Sequence, residues 1–406
     1  MKITFCLIFL LSLTLALESN VVPPDNYVSV NVTQLIEAQG YPCEQHDVVT
    51  KDGFILSVQR IPHGRNNKDI GKKRRVVFLQ HGLLDASSTW VNNFYNQSLG
   101  FILADFGYDV FLGNVRGNRY SMGHTHLKPD SKEFWEWSLD EMAAIDLPAM
   151  IEYTLNLTKQ EKLDYVGHSQ GCVIALACFS QDVCSTDGKG NIAQHINTFF
   201  ALAPAPFVGH ITSPLFNFLG KFHMAEAFKY FGFNQFSPST PLFRKLLPSV
   251  CQDSHIGYKI CINACKRCLC AGCDSMRHNV NMTRLPIYVD GVPAGTSVQN
   301  MIHWSQAVTT DGFQMLDYGS VEENMKHYNQ EKPPSYNVTN IKTDIAVFYG
   351  GMDSLGDAED ISLWLPMLPQ HRLRMKKYYP SYGHLDFVWS FNAARDIYES
   401  IVDYLR

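Results

Sequence analysis

Hydrophobic positions along the 406-residue chain gather into short continuous runs separated by polar, glycine-bearing turns, a rhythm of buried strands. Val76–Gln80 (VVFLQ), Tyr108–Leu112 (YDVFL), Leu163–Val166, Asn197–Ala203 (NTFFALA), Ile345–Tyr349 (IAVFY) and Leu373–Tyr379 are the predicted strands. Ahead of them, alternating stretches at Glu44–Thr50 and Phe54–Arg60 flank Asp52-Gly53, a hairpin signal. Helical runs fall between: one from about Asp140, a second piece capped by Asp146 with Pro148 in its first turn, one from Cys172, and the amphipathic Ala393–Leu405. This alternation predicts an α/β fold, a mostly parallel sheet covered on both faces.

The rhythm breaks once. Between Pro206 and about Pro334 the chain is rich in Phe, Leu, Pro and Cys and no strand–helix alternation survives. Residues 206–334 therefore read as an inserted, largely helical cap or lid, with 18–205 and 335–406 forming the core. At the front, Met1-Lys2 and the apolar run Ile3–Leu17 form a secretory signal peptide, residues 1–17, too short to favour a membrane anchor. No later stretch is long and apolar enough to span a bilayer, so the mature chain is expected to be soluble.

Composition changes this picture little. Hydrophobic residues make up 46% and charged residues 18%, ordinary for a large core, and a net charge of -5 gives no reason to expect nucleic acid. The basic run Arg65–Arg75 reads as a solvated loop. The secretory reading is supported by N-x-S/T sequons at Asn31, Asn96, Asn156, Asn281 and Asn337, candidates for glycosylation. Removing Cys6 with the leader leaves an even set of cysteines, compatible with disulfides. Cys178 and Cys184 are placed to pair, and Cys172 reads as a buried free thiol.

The chemistry concentrates at Gly167-His168-Ser169-Gln170-Gly171, a G-x-S-x-G between an apolar strand and an apolar helix. That context defines a nucleophile elbow, a turn that raises the serine hydroxyl above the sheet and aims the next N–H at a developing oxyanion. Glycines are needed at 167 and 171 because side chains there would meet neighbouring backbone. A serine needs a base, and the base a group that holds its tautomer. In elbow enzymes the order is serine, acid, histidine, and the sequence supplies Asp353 after the strand Ile345–Tyr349 and His384 after the last strand. Asp357 and Asp360 are rivals better explained as helix caps, and Asp386 reads as support for the His384 loop. The loop after Val76–Gln80 offers the Leu83 N–H as the second oxyanion donor beside Gln170, with His81 as a structural or hole-shaping histidine. Phe134, Trp135 and Trp137 are core residues by default, with a wall of an acyl pocket as the alternative.

HGL at 81–83, NxRGN at 114–118, GHSQG at 167–171, PAGTSVQNMxHW at 293–304, GGxD at 350–353 and HLDF at 384–387 together resemble the acid lipases, the gastric and lysosomal hydrolases of triacylglycerol and cholesteryl esters. The resemblance runs from roughly Asn26 to the C-terminus. It implies an α/β-hydrolase fold with a cap and lid, Ser169 as nucleophile, Asp353 as acid, His384 as base, and Leu83 and Gln170 as oxyanion donors. It also implies activity on lipid esters at acidic pH. Two-step acyl transfer requires no metal or cofactor, and the chain is expected to meet neutral lipid esters at a lipid–water interface as a monomer, secreted or lysosomal. Cys251 and Cys261 resemble the family's disulfide. The remaining C-x-x-C-x-C-x-x-C at 265–273 departs from the family, and extra disulfides explain it more economically than zinc in an oxidising compartment. Two alternatives stand beside the lipase: a lipid carrier that lost catalysis, and a short-chain esterase or acyltransferase using the same serine.

Overall fold

The computed structural model describes residues 31–66, 73–213, 217, 229–230, 232–237, 279–310 and 312–406. The leader, Cys251, Cys261 and the cysteine run after them lie outside the described residues.

The apolar runs become strands. β1 (Glu44–Val49), β2 (Phe54–Ile61), β3 (Val76–Gln80), β4 (Asp109–Gly113), β5 (Gly123–His124), β6 (Leu163–His168), β7 (Ile196–Leu202), β10 (Asp344–Gly350) and β11 (Leu373–Tyr379) form one nine-stranded sheet. Its order is β1-β2-β4-β3-β6-β7-β10-β11, with β5 on the edge of β2. Pairing is antiparallel among β1, β2, β4 and β5 and parallel from β4 through β11. Asp52-Gly53 makes the β1–β2 turn, with Gly53 at φ +98°. Every residue of β3, β4 and β6 is buried, so these central strands carry no polar face. Two apolar clusters cover the two sides of the sheet: Phe78, Tyr165 and Phe199 belong to one, and Val77, Val166 and Phe200, their chain neighbours, to the other.

One expectation is corrected here and the others named with it hold. Asp146 caps nothing; its buried carboxylate takes the Nε–H and an Nη2–H of Arg116 at 2.9 and 2.7 Å, and its residue is already helical. Arg75, exposed at the end of its loop, also forms a two-point ion pair with buried Asp164 at 2.6 and 2.8 Å. The last helix is found as expected, running without a break from Ala394 to Leu405, with its first five residues, Ala394–Tyr398, wound more widely than the rest. Phe134, Trp135 and Trp137 are buried in the core. Cys178 and Cys184 are bonded, and Cys172 is a buried free thiol.

Within 206–334 the described residues include the helices Leu285–Gly291, Val298–Thr309 and Val321–Tyr328 and a small antiparallel pair, β8 (Gln235–Phe236) with β9 (Thr296–Ser297). The first of these helices packs on the core: Tyr288 stacks on Trp389 at 4.7 Å between ring centres. No helix among the described residues is long and apolar enough to cross a membrane.

Candidate active site

The carboxyl ends of β3, β6, β10 and β11 deliver the site. β6 runs straight into the turn at Ser169, whose backbone sits at φ 53°, ψ −119°, and the helix Gln170–Phe179 follows at once, two residues earlier than its apolar pattern suggests. A non-glycine residue in that region carries about 1–3 kcal/mol of strain, held here by the buried strand before it and the buried helix after it. The Ser169 N–H donates to the Leu202 carbonyl at 3.0 Å. The flanking glycines are required by space: a Cβ on Gly171 would fall 2.4 Å from the Gln80 oxygen, and one on Gly167 2.8 Å from the Cys172 nitrogen.

Ser169, Asp353 and His384, far apart in sequence, meet here. The His384 Nδ1–H donates to Asp353 Oδ2 at 2.8 Å and Oδ1 at 3.0 Å, which leaves Nε2 as an acceptor, and Ser169 Oγ lies 2.7 Å from it. Asp353 is buried and its Oδ1 also takes the N–H groups of Leu355 and Gly356 at 2.9 and 2.8 Å. Burial pushes this carboxyl up, but the imidazole and these donors outweigh it and hold it below the ordinary value. Asp386 braces the histidine loop, its Oδ2 accepting from the Gly383 N–H at 2.8 Å. Asp357 caps the next helix by accepting from the Glu359 N–H, as expected. Asp360 does not: it is buried and holds the His210 N–H and Nδ1 at 3.1 and 2.8 Å.

The Leu83 loop lies against the elbow, close enough that a Cβ on Gly82 would be 3.0 Å from the Ser169 Cβ. His81 Nδ1–H donates to the Gly82 carbonyl at 2.8 Å, and its Nε2 accepts from Asn118 Nδ2 at 3.1 Å and the Val115 N–H at 3.3 Å. The Gly82 carbonyl and the Leu83 N–H share one peptide plane, so His81 fixes where that N–H points. Burial lowers the His81 pKa to about 4, opposed by the Gly82 carbonyl, and so keeps it the neutral donor. The Leu83 side chain packs on Val298, Met301, Ile302 and Leu316.

Sequence reasoning missed His168, which donates from Nε2 to the His384 carbonyl at 2.9 Å. It missed Asn300 and Trp304, both on the Gln170 side chain. No residue-type signal marks either; only the long block at 293–304 hinted at the second. Asn31, Asn96, Asn156 and Asn337 are exposed, while Asn281 is half-buried with its Nδ2 on Gln97 Oε1 at 3.2 Å. Among the described residues no cluster of three His, Cys, Asp or Glu side chains could hold a metal.

A parallel sheet with an elbow after β6, an acid after β10 and a histidine after β11 defines an α/β hydrolase. Residues 75–391 match the family model of the alpha/beta hydrolase fold, and residues 32–94 that of the partial alpha/beta-hydrolase lipase region. Human gastric triacylglycerol lipase is 44% identical over 98% of this chain and 96% of its own length. Human lysosomal acid lipase/cholesteryl ester hydrolase is 43% identical over 94% and 92%. Among solved structures, a soluble variant of Saccharomyces cerevisiae monoglyceride lipase with a substrate analog gives a TM-score of 0.54 at 14% identity, covering 94% of this chain and 98% of its own, a likeness of fold alone. The chain belongs to the acid lipase family of carboxylic ester hydrolases, the gastric and lysosomal type.

Proposed function

We propose that this enzyme hydrolyses ester bonds of neutral lipids, triacylglycerols or cholesteryl esters, by acyl transfer through Ser169. The observation that carries the reading is the 2.7 Å contact between Ser169 Oγ and His384 Nε2, with Asp353 on the far side of the ring. His384 takes the Ser169 proton as Oγ bonds to the ester carbonyl carbon. The oxyanion rests on the Leu83 and Gln170 N–H groups, each contributing roughly 3–4 kcal/mol in serine hydrolases. His384 then returns the proton to the leaving alcohol, and water, deprotonated by the same imidazole, releases the fatty acid and regenerates Ser169. The substrate class is supported by the gastric and lysosomal relatives, whose names carry triacylglycerol lipase and cholesteryl ester hydrolase. Residues 1–17 act as a secretory leader, 206–334 as the cap, and the mature enzyme works as a monomer, secreted or in the lysosome, at acidic pH.

The deciding experiment measures release of fatty acid from emulsified triolein and cholesteryl oleate across pH, with Ser169→Ala as control, beside labelling by a fluorophosphonate probe. The reading requires Ser169-dependent activity and labelling. A folded protein that neither labels nor turns over is a lipid carrier, and a preference for soluble acetyl esters marks an esterase.

A further inference from the structure

The helix Val298–Thr309 reaches back onto the elbow. Asn300 and Trp304 are four residues apart and so share one of its faces. Both meet the Gln170 carboxamide: Asn300 Nδ2 donates to Oε1 at 3.0 Å and Trp304 Nε1 donates to the same oxygen at 2.8 Å. An indole N–H can only donate, so the atom it meets is the amide oxygen and the orientation of the Gln170 amide follows. The amide nitrogen points away, donating to Met142 Sδ at 3.5 Å. Gln170 is 1% exposed, and protein partners stand where water would otherwise be.

Asn300 is itself anchored. Its Nδ2 also donates to Thr296 Oγ1 at 3.1 Å, its N–H donates to Ser297 Oγ at 2.8 Å, and Ser297 Oγ donates to the Trp137 carbonyl at 2.6 Å. Asn300 Oδ1, by contrast, is buried and finds no hydrogen-bond partner among the described residues. Were packing alone at stake, an apolar residue would serve better there than an amide with an orphaned oxygen. The Nδ2–H contacts are what the amide supplies.

We propose that Asn300 and Trp304 are positioning residues for the reaction, clamping the Gln170 side chain so that the Gln170 N–H stays aimed at the oxyanion. The proposal rests on the reading of Gln170 as an oxyanion donor. The reason for a clamp is the strain at Ser169, at φ 53°, which can relax by rotating the Ser169–Gln170 peptide and swinging that N–H away. A side chain tied at its far end to Met142, Asn300 and Trp304 resists the rotation.

The test uses the full-length enzyme carrying Asn300→Leu or Trp304→Phe, assayed on a water-soluble p-nitrophenyl ester. Trp304→Phe keeps an aromatic ring at the position while removing the N–H together with the five-membered ring, so it stands where Asn300→Leu fails to fold. Expected is a roughly ten- to hundredfold loss of kcat with KM within about twofold, and an equal loss in the rate of phosphonylation, with the melting temperature kept. In a Gln170→Ala background Trp304→Phe should cost nothing further. Unchanged kcat in folded Trp304→Phe, or a loss that adds in full on Gln170→Ala, overturns the clamp. Activity surviving Ser169→Ala would instead sink the underlying reading, and the clamp with it.

Discussion

The residue just before Ser169 holds the loop that carries the histidine facing it: His168 donates from Nε2 to the backbone carbonyl of His384 at 2.9 Å, and the two rings lie 5.0 Å apart. The elbow and the last loop are thus joined by backbone as well as by the Ser169–His384 contact. His168 is buried, and burial lowers its pKa to about 3, with the neighbouring His384 adding to the effect. A histidine free in the unfolded chain titrates near 6.5, so between about pH 6.5 and 3 only the unfolded state binds this proton. Stability from this group is present above about 6.5 and lost as pH falls through about 3, by about 1.4 kcal/mol per pH unit. His168→Gln should flatten the acid side of the melting-temperature profile, as read by calorimetry at a series of pH values. An unchanged slope would remove His168 from the account.

Asp85 works in the opposite direction. It follows Leu84 in the Leu83 loop, is 5% exposed, and accepts the Ala86 N–H at 2.8 Å. Burial raises its pKa to about 7, against the pull of the Ala86 and Thr89 donors. The folded state therefore holds a proton that the unfolded chain has lost above about pH 4. The stability it gives is complete below about 3.8 and disappears as pH rises through about 7. Asp85→Asn should raise the denaturation midpoint at pH 7 while leaving it nearly unchanged at pH 4. The measurement is urea unfolding at the two values.

Asp353→Asn should leave the fold intact and lower kcat on a soluble ester by roughly 10⁴-fold, because an amide facing His384 Nδ1 no longer selects the tautomer with Nε2 free. Ser169→Ala should abolish both turnover and fluorophosphonate labelling. Steady-state kinetics on the two variants, side by side, checks the proposed roles, and substantial turnover by Ser169→Ala would refute them.

Arg116 is 1% exposed and lies between buried Asp146 and half-exposed Asp52, with its guanidinium carbon 4.2 Å from the Phe54 ring centre. Asp146→Ala strands a buried cation and should cost about 3–5 kcal/mol in equilibrium unfolding. Asp52→Asn removes the partner nearer solvent and should cost markedly less. Equal losses would mean that solvent reaches both sides alike.

Much of this was legible in order along the chain. β3 and β11 are found where their apolar and alternating runs begin and end, and the elbow's glycines announce a turn that only glycine fits, because a buried parallel strand and a tight turn are set by residues within a few positions of one another. The candidate partners Asp353 and His384 were legible only through the chain order of elbow enzymes, not through any local pattern. The tertiary structure alone decided what the remaining polar residues do. Asp146 faces Arg116 rather than a helix end, Asp360 holds His210 rather than capping, and Asn300 and Trp304 grip Gln170 from more than a hundred residues away. A buried polar side chain must find a partner, and nothing in its neighbours along the chain says which distant segment the fold will bring within reach.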